Sequence, residues 1–298
     1  MIQTNINSDF LDLFHHIIKD YKLDNSNSLN VFTLKMQNNR FAYNDLVELL
    51  GNNLYYFALS RTEIQRLIDN KQFDTLVKRT KSKFRDYTSN EGELGEVMLY
   101  CLLEAHLNAP KILTKLELKT ANNDYVKGAD GVHLLKLDEE NYQLVLGEAK
   151  LDAELKQGVY DAFGSISKLL KNGNKKLDFE FDLVNSQLVK EVYNEQQYEK
   201  IKKILLPSTK TEETNLDYSF GIFLGFEAKI TEDEMKLSNS EFRTQIKNRI
   251  KQEVLDIISS FYFQIKKEEF MGYQFYIYII PFSDLAEKRK EIIKELTV

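Results

Sequence analysis

An apolar run interrupted by an acid and a lysine, LVLGEAKL at residues 144–151, admits few structural settings. Side chains alternate across a strand, so Leu144, Leu146, Glu148 and Lys150 share one face. Charge buried on such a face is costly unless it is paired or binds a metal. The stretch is therefore either a strand end emerging into water or the floor of an active site.

Between residues 90 and 172 the pattern reads helix, strand, strand, strand, helix. SNEGELGEVMLYCLLEAHL (89–107) is the first helix, and KILTKLEL, DGVHLLKL and YQLVLGEAK are the strands. An amphipathic helix over about 153–172 follows, closed by NGN at 172–174. Upstream, SDFLDLFHHIIKDY reads as a helix with Phe10, Leu13, Ile17 and Ile18 on one side, and LNVFTLKM as a strand. AYNDLVELLGNNLYYFALS and RTEIQRLIDNKQFDTLVKRTKSKF read as helices. Downstream, one or two helices fill about 184–205, and DYSFGIFLGFEAKI is a strand. SNSEFRTQIKNRIKQEVLDIISSFYF reads as one helix with Phe242, Ile246, Ile250, Ile257 and Phe261 in register. YQFYIYIIPF is a strand, and a short helix ends the chain. This mixture predicts an α/β or α+β class.

Upstream of Glu148 lies KGADGVHL, residues 127–134. Gly128 and Gly131 flank Asp130, which suits a tight turn or a close backbone approach. The spacing from Asp130 to Glu148 fits a hairpin that sets the two acids opposite each other. Two carboxylates beside a lysine can hold Mg²⁺ through oxygen. The metal polarises a phosphate and activates water, and the lysine supports the nucleophile or the developing charge. Asp130 alone would read as a turn aspartate. A third acid is expected from the preceding helix, where NEGELGEV offers Glu91, Glu93 and Glu96. Asn90 and Glu93 match a capping box, which gives Glu93 a structural task. Glu96 lies one turn further in, beside Gly95, whose lack of a side chain permits close approach to a strand. Glu96 is therefore the preferred third acid and Glu93 the runner-up.

A helix glutamate, then G-x-D, then an apolar strand ending in E-x-K resembles the PD-(D/E)xK nuclease superfamily. Asp130, Glu148 and Lys150 match its D and E-x-K positions, and Glu96 its helix acid. GELGEVMLYCLLE, KGADGVHL and LVLGEAKL together look like the nuclease subunit of Hachiman anti-phage defence systems. The match is close over about 85–170, and the flanks agree in length and in helix–strand order. Ala129 stands where the superfamily name has proline.

The resemblance implies an α/β fold with a restriction-endonuclease-like core: a mixed sheet flanked by helices, with further helices and strands at both ends. It implies a region 1–88 packed on a nuclease core at 89–298, together one compact unit. It implies a Mg²⁺-dependent (or Mn²⁺-dependent) deoxyribonuclease using Glu96, Asp130, Glu148 and Lys150. The first three would be the metal ligands. Gln157 and Tyr160, which match a helix Gln and Tyr following E-x-K in several branches, would stand behind them. The implied partners are DNA and a helicase subunit that restrains the nuclease and releases it on sensing DNA.

Composition sets the remaining limits. A net charge of −6 argues against strong nonspecific DNA binding by the lone chain. The most basic run, KRTKSKFR at 78–85, reads as a solvated helix face in preference to a nucleic-acid contact. Cys101 is a core residue in a helical pattern, and a single cysteine makes no internal disulfide. No apolar run spans a membrane and MIQTNINSDF lacks a signal-peptide pattern, so a cytoplasmic protein is expected. No Gly-rich phosphate loop is seen, so ATP hydrolysis is not expected of this chain. The four histidines give no zinc spacing; His15 and His16 read as helix-surface residues and His133 as a surface or supporting residue. The second E-x-K, Glu227 and Lys229, lacks a Gly-flanked aspartate before it and reads as a frayed strand end. Three readings stay open: a metal-dependent nuclease, an inactive scaffold that docks a helicase or binds DNA, and an α/β interaction protein whose charges cap strands.

Overall fold

A computed structural model describes residues 2–23, 27–89, 92–118, 128–170, 182–205 and 215–298. The apolar runs supply the centre of a seven-stranded mixed sheet. Its long strands are β2 (Ser28–Leu34), β7 (Asn141–Asp152), β8 (Asn215–Glu227) and β9 (Gln274–Phe282). Edge strands β1 (Phe14–Lys22) and β5 (Lys111–Thr114), with β6 (Gly131–Lys136) between β5 and β7, complete the order β1-β2-β9-β8-β7-β6-β5. The β2, β9, β8 and β7 neighbours are parallel, and the pairs at either end are antiparallel. Parallel strands are covered on both faces, which is why β8 and β9 read as nearly unbroken apolar runs. Met36–Gln37 and Arg40–Phe41 form a separate small hairpin, β3 and β4.

Helices α1 (Tyr43–Ala58), α2 (Arg61–Asp69) and α3 (Phe73–Ser82) lead into α4 (Glu93–Ala105). After β7 comes α5 (Leu155–Leu170), and α6 (Glu195–Leu205) precedes β8. Between β8 and β9 lie α7 (Glu232–Met235), α8 (Asn239–Asp256) and α9 (Ile258–Lys267), and α10 (Leu285–Thr297) ends the chain. Among the described residues no helix is long and apolar enough to cross a membrane. Cys101 is buried, as its setting suggested.

Several local expectations are corrected. SDFLDLFHHIIKDY is not a helix but a 3₁₀ turn, Ser8–Leu13, followed by β1. Buried Phe14 and Ile18 are four apart, a spacing that fits one helix face and one strand face alike. Pairing with β2, with a register shift between His16 and Ile18, decides for the strand. His15 and His16 therefore stand on a strand, and His16 stacks on Phe32 at 4.0 Å. The segment at 238–263 is two helices, broken at Ile257, whose backbone (φ −104°, ψ 4°) leaves helical geometry and turns its N–H to the Val254 carbonyl at 3.2 Å; Val254 rather than Ile257 is buried in the stripe. KILTKLEL is strand only to Thr114. His133 is fully buried; its Nδ1 lies 2.8 Å from the Ala109 carbonyl oxygen, and burial pulls its pKa down to about 4. The NGN at 172–174 falls outside the described residues.

Two features place the site. The first is a glycine pair in register across β7 and β8, Gly147 opposite Gly221. A Cβ on Gly147 would meet Leu99 at 3.0 Å, and one on Gly221 would meet Leu103 at 2.9 Å. Two leucines of α4, one turn apart, thus fill the groove these glycines leave. From the helix side, Gly95 brings α4 within 3.2 Å of Ala149 by the same measure. The second feature is a buried ion network that anchors β5. Arg61 lies 3.3 Å from Glu191 and 3.5 Å from Glu104, and its Nη1 donates to Asn5 at 2.8 Å. Glu104 accepts the Lys111 backbone N–H at 2.9 Å, and the Lys111 ammonium meets Glu117 at 3.0 Å. Burial pushes Glu191 up to about 8 against the pull of Lys111 and Arg61.

Glycine-to-alanine changes should separate these roles. Gly147→Ala forces a methyl against Leu99 and to 3.3 Å from the Gly131 carbonyl oxygen. Overpacking of this kind costs about 1–3 kcal/mol. Gly164, inside α5, has nothing within 4 Å of the point where a methyl would stand. Gly164→Ala should stabilise the protein by about 0.5–1 kcal/mol through helix propensity. Denaturant unfolding of both variants checks the opposite signs.

Candidate active site

β6 and β7 form the expected antiparallel hairpin, with Gly131 opposite Gly147. β6 begins at Gly131 while β7 runs on to Asp152, so residues beyond Gly147 have no β6 partner on that edge. Asp130 takes over where β6 stops. Its N–H donates to the Gly147 carbonyl at 2.9 Å, and its Oδ2 accepts the Ala149 N–H at 2.9 Å. A carboxylate thus replaces a strand carbonyl, and that fixes Asp130 beside Glu148. Gly128, at φ 127°, supplies the turn before it in a conformation that favours glycine.

Glu148 and Lys150 point to the α5 face, and the Lys150 ammonium lies 2.6 Å from Glu148 Oε1. Ala149 points to the other face, where α4 packs. Every residue of α4 is buried except Glu96, which opens into the cleft. Glu93 is buried at the first position of the helix, and its Oε2 accepts the Arg85 N–H at 3.1 Å. Gly92 is the N-cap, which puts Glu93 at the first helical position rather than the third, and the Asn90 half of the expected capping box lies outside the described residues. Glu93 therefore ties down the segment before the helix, and Glu96 is the acid that faces the site.

The cleft has a volume of about 790 Å³. Glu96, Asp130, Glu148 and Lys150 all line it, together with Lys115, Ser165 and Lys168, which the sequence reading missed. Leu146, Ile166, Leu169 and Phe220 contribute apolar surface. Burial against that surface, and then the Asp130 charge, push the Glu148 carboxyl up to about 7, although Lys150 and a hydrogen bond with Ser165 pull the other way. Burial lowers the Lys150 and Lys115 ammonium pKa values, but the carboxylates around them more than offset it, so both end raised. For Lys150 these are chiefly Glu148 and Asp130; for Lys115 they are Asp130, Glu96 and Glu148. Lys115 Nζ stands 3.3 Å from Asp130 Oδ1.

Gln157 and Tyr160 do not line this cleft. Gln157 is exposed and donates to Asp161 at 3.0 Å, and Lys156 lies over the Tyr160 ring at 6.0 Å. The direction of the chain explains this. α5 starts beside Asp152, against Gly158, and runs back over β7. At about 1.5 Å per residue, the eight residues from Gln157 to Ser165 carry the helix roughly 12 Å back to Glu148. Ser165 and Lys168, not the first turn, therefore reach the acids. The second E-x-K behaves as a strand end: β8 stops at Glu227, and Lys229 is exposed.

Asp130 and Glu148 come together as a pair, with Glu96 contributed by the helix on the opposite face. Among the described residues no three His, Cys, Asp or Glu side chains are grouped to enclose a metal ion. Two adjacent carboxylates are nonetheless a donor set that suits Mg²⁺, which takes one or two carboxylates and fills its octahedron with water and substrate phosphate.

Comparison with known proteins gives one firm placement. The model of the HamA family matches residues 8–296, and the chain belongs to that family, making it a Hachiman defence-system protein. No curated protein matches it.

Proposed function

We propose that this HamA-family protein is the metal-dependent DNA endonuclease of its Hachiman system, with a PD-(D/E)xK core, held in check by a helicase partner until DNA is sensed. The observation that carries the reading is the convergence of Asp130, Glu148 and Lys150 at the open edge of β7, in a cleft that also holds Glu96. Asp130 and Glu148 would hold the cation, and Glu96 would reach it through water. A bound Mg²⁺ polarises the phosphodiester and supplies an activated water. The Lys150 ammonium is placed to face negative charge developing on the phosphate. Ser165 orients the Glu148 carboxylate. Lys115 and Lys168, on the walls of the cleft, are suited to flanking phosphates. The net charge of −6 leaves the lone chain with weak affinity for DNA. That agrees with a partner that supplies both DNA binding and restraint. The partner would also bring the ATP dependence.

The deciding experiment is plasmid nicking by the purified chain and by its complex with the neighbouring gene product, with and without Mg²⁺ and ATP. Lys150→Ala should lower nicking by about 100-fold or more, with little change in melting temperature. Asp130→Asn and Glu148→Gln should each abolish metal-dependent cleavage. Glu96→Gln should weaken cleavage more than Glu93→Gln, whose main effect should be a stability loss of about 1 kcal/mol from the weakened Arg85 contact. Glu227→Gln and Lys229→Ala should cleave like the unaltered protein. In cells, the double variant Glu148→Gln, Lys150→Ala should keep its complex with the helicase and lose protection against phage. Full protection by that variant would replace the nuclease reading with the inactive scaffold.

The Glu148 carboxyl gives a pH signature. It must ionise to bind a cation, and its pKa stands near 7. Below that value the apparent Mg²⁺ affinity and the rate should fall about tenfold per pH unit. The folded chain without metal holds this proton more tightly than the unfolded chain does. Its stability should therefore fall as pH rises from the usual glutamate range through about 7. Added Mg²⁺ should raise the melting temperature more at about pH 8 than at about pH 6.

A further inference from the structure

Asp130 offers its two carboxylate oxygens to different neighbours. Oδ2 accepts the Ala149 N–H at 2.9 Å, a bond set by the strand itself. Oδ1 faces the Lys115 ammonium at 3.3 Å. The Lys115 main chain is bound to the same residue, since its N–H donates to the Asp130 carbonyl at 3.0 Å. These two attachments differ in freedom. The backbone bond continues the pairing of β5 with β6 and cannot shift without opening it. The ammonium rides on a flexible four-carbon stem. Oδ2 already accepts a backbone N–H, so Oδ1 is the oxygen more open to a cation shared by Asp130 and Glu148. Lys115 stands at that oxygen.

We propose that Lys115 is a built-in counter-ion that keeps the cation position of the cleft filled at rest, and that a divalent cation enters by displacing its ammonium from Asp130 Oδ1. The proposal rests on the hydrolase reading in taking that cation to be Mg²⁺ or Mn²⁺. A compact, strongly hydrated ammonium and a small dication compete for one carboxylate oxygen, so filling the site with one expels the other. Lys150 stays on Glu148 in both conditions, so the two lysines of the cleft have separate tasks. Lys115 competes with the cation rather than holding it, and its effect is read in binding.

Calorimetric titration of the full chain with MnCl₂, in the absence of DNA, tests this. Lys115→Met keeps the stem and removes the charge, and should bind Mn²⁺ about tenfold tighter, about 1.4 kcal/mol. Its melting temperature should also rise more on adding Mn²⁺ than that of the unaltered chain. Lys115→Arg retains a charge and should bind close to the unaltered chain. Lys136→Met makes the same change in net charge outside the cleft and should have no effect. Should Lys115→Met fail to fold, Lys115→Gln makes the same comparison with a side chain that still hydrogen-bonds. Unchanged or weaker binding by the neutral variants, with the unaltered chain binding normally, overturns the counter-ion role and leaves the hydrolase reading standing. No binding by any of these proteins overturns both. Tighter binding by Lys136→Met as well would assign the effect to overall charge and overturn the specific role of Lys115.

Discussion

The contact on which the arrangement depends is α4 lying directly on β7 and β8. Helices usually stand off a sheet by the depth of their side chains, but the Gly147–Gly221 pair removes that depth at one spot. Leu99 and Leu103 enter the groove, and Gly95 lets the start of the helix follow them down onto Ala149. Glu96 is then carried to the cleft as the one unburied residue of an otherwise buried helix. With side chains at those three positions the helix would stand off the sheet, and Glu96 would sit further from Asp130 and Glu148.

The second constraint is an unfinished hairpin. Because β6 starts at Gly131 and β7 continues past it, backbone groups are left open where Asp130 stands. Asp130 answers one of them through Ala149, and that bond fixes the direction of its carboxylate. Strand pairing and site geometry are thus one piece of structure. This also explains why a single carboxylate can have two oxygens with different roles.

The central parts were legible in the sequence for a physical reason. An apolar strand with charges on one face has few settings, and a Gly-flanked aspartate at hairpin distance before it selects one of them. That reasoning placed Asp130, Glu148 and Lys150 together and preferred Glu96 to Glu93. Long elements with strong periodicity, such as α4, β7 and β9, were equally readable. Lys115, Ser165 and Lys168 were not, because each depends on chain direction beyond its own element. Lys115 was hidden in a run read as plain strand. Ser165 and Lys168 lie about three turns or more into a helix whose earlier residues, Gln157 and Tyr160, match the superfamily pattern. Counting the rise of that helix back along β7 would have found them. The first strand was lost to an ambiguity of spacing: residues four apart share a face in both regular structures, and only pairing with Ser28–Leu34 resolved it. The break at Ile257 was not legible, since the apolar period continues across it from Val254 to Ile258 and Phe261.

The buried ion network joins parts of the chain that are far apart in sequence. Its members are Asn5, Arg61, Glu104, Lys111, Glu117 and Glu191, drawn from nearly two thirds of the chain. None can leave water without a large penalty before its partners arrive, and the partners are far apart in sequence. Removing any one charged member leaves its partners as buried charge without compensation, a cost of about 3–5 kcal/mol. The network therefore ties the first residues and the segment around Glu191 to β5, and damage at one of these places is felt at all of them.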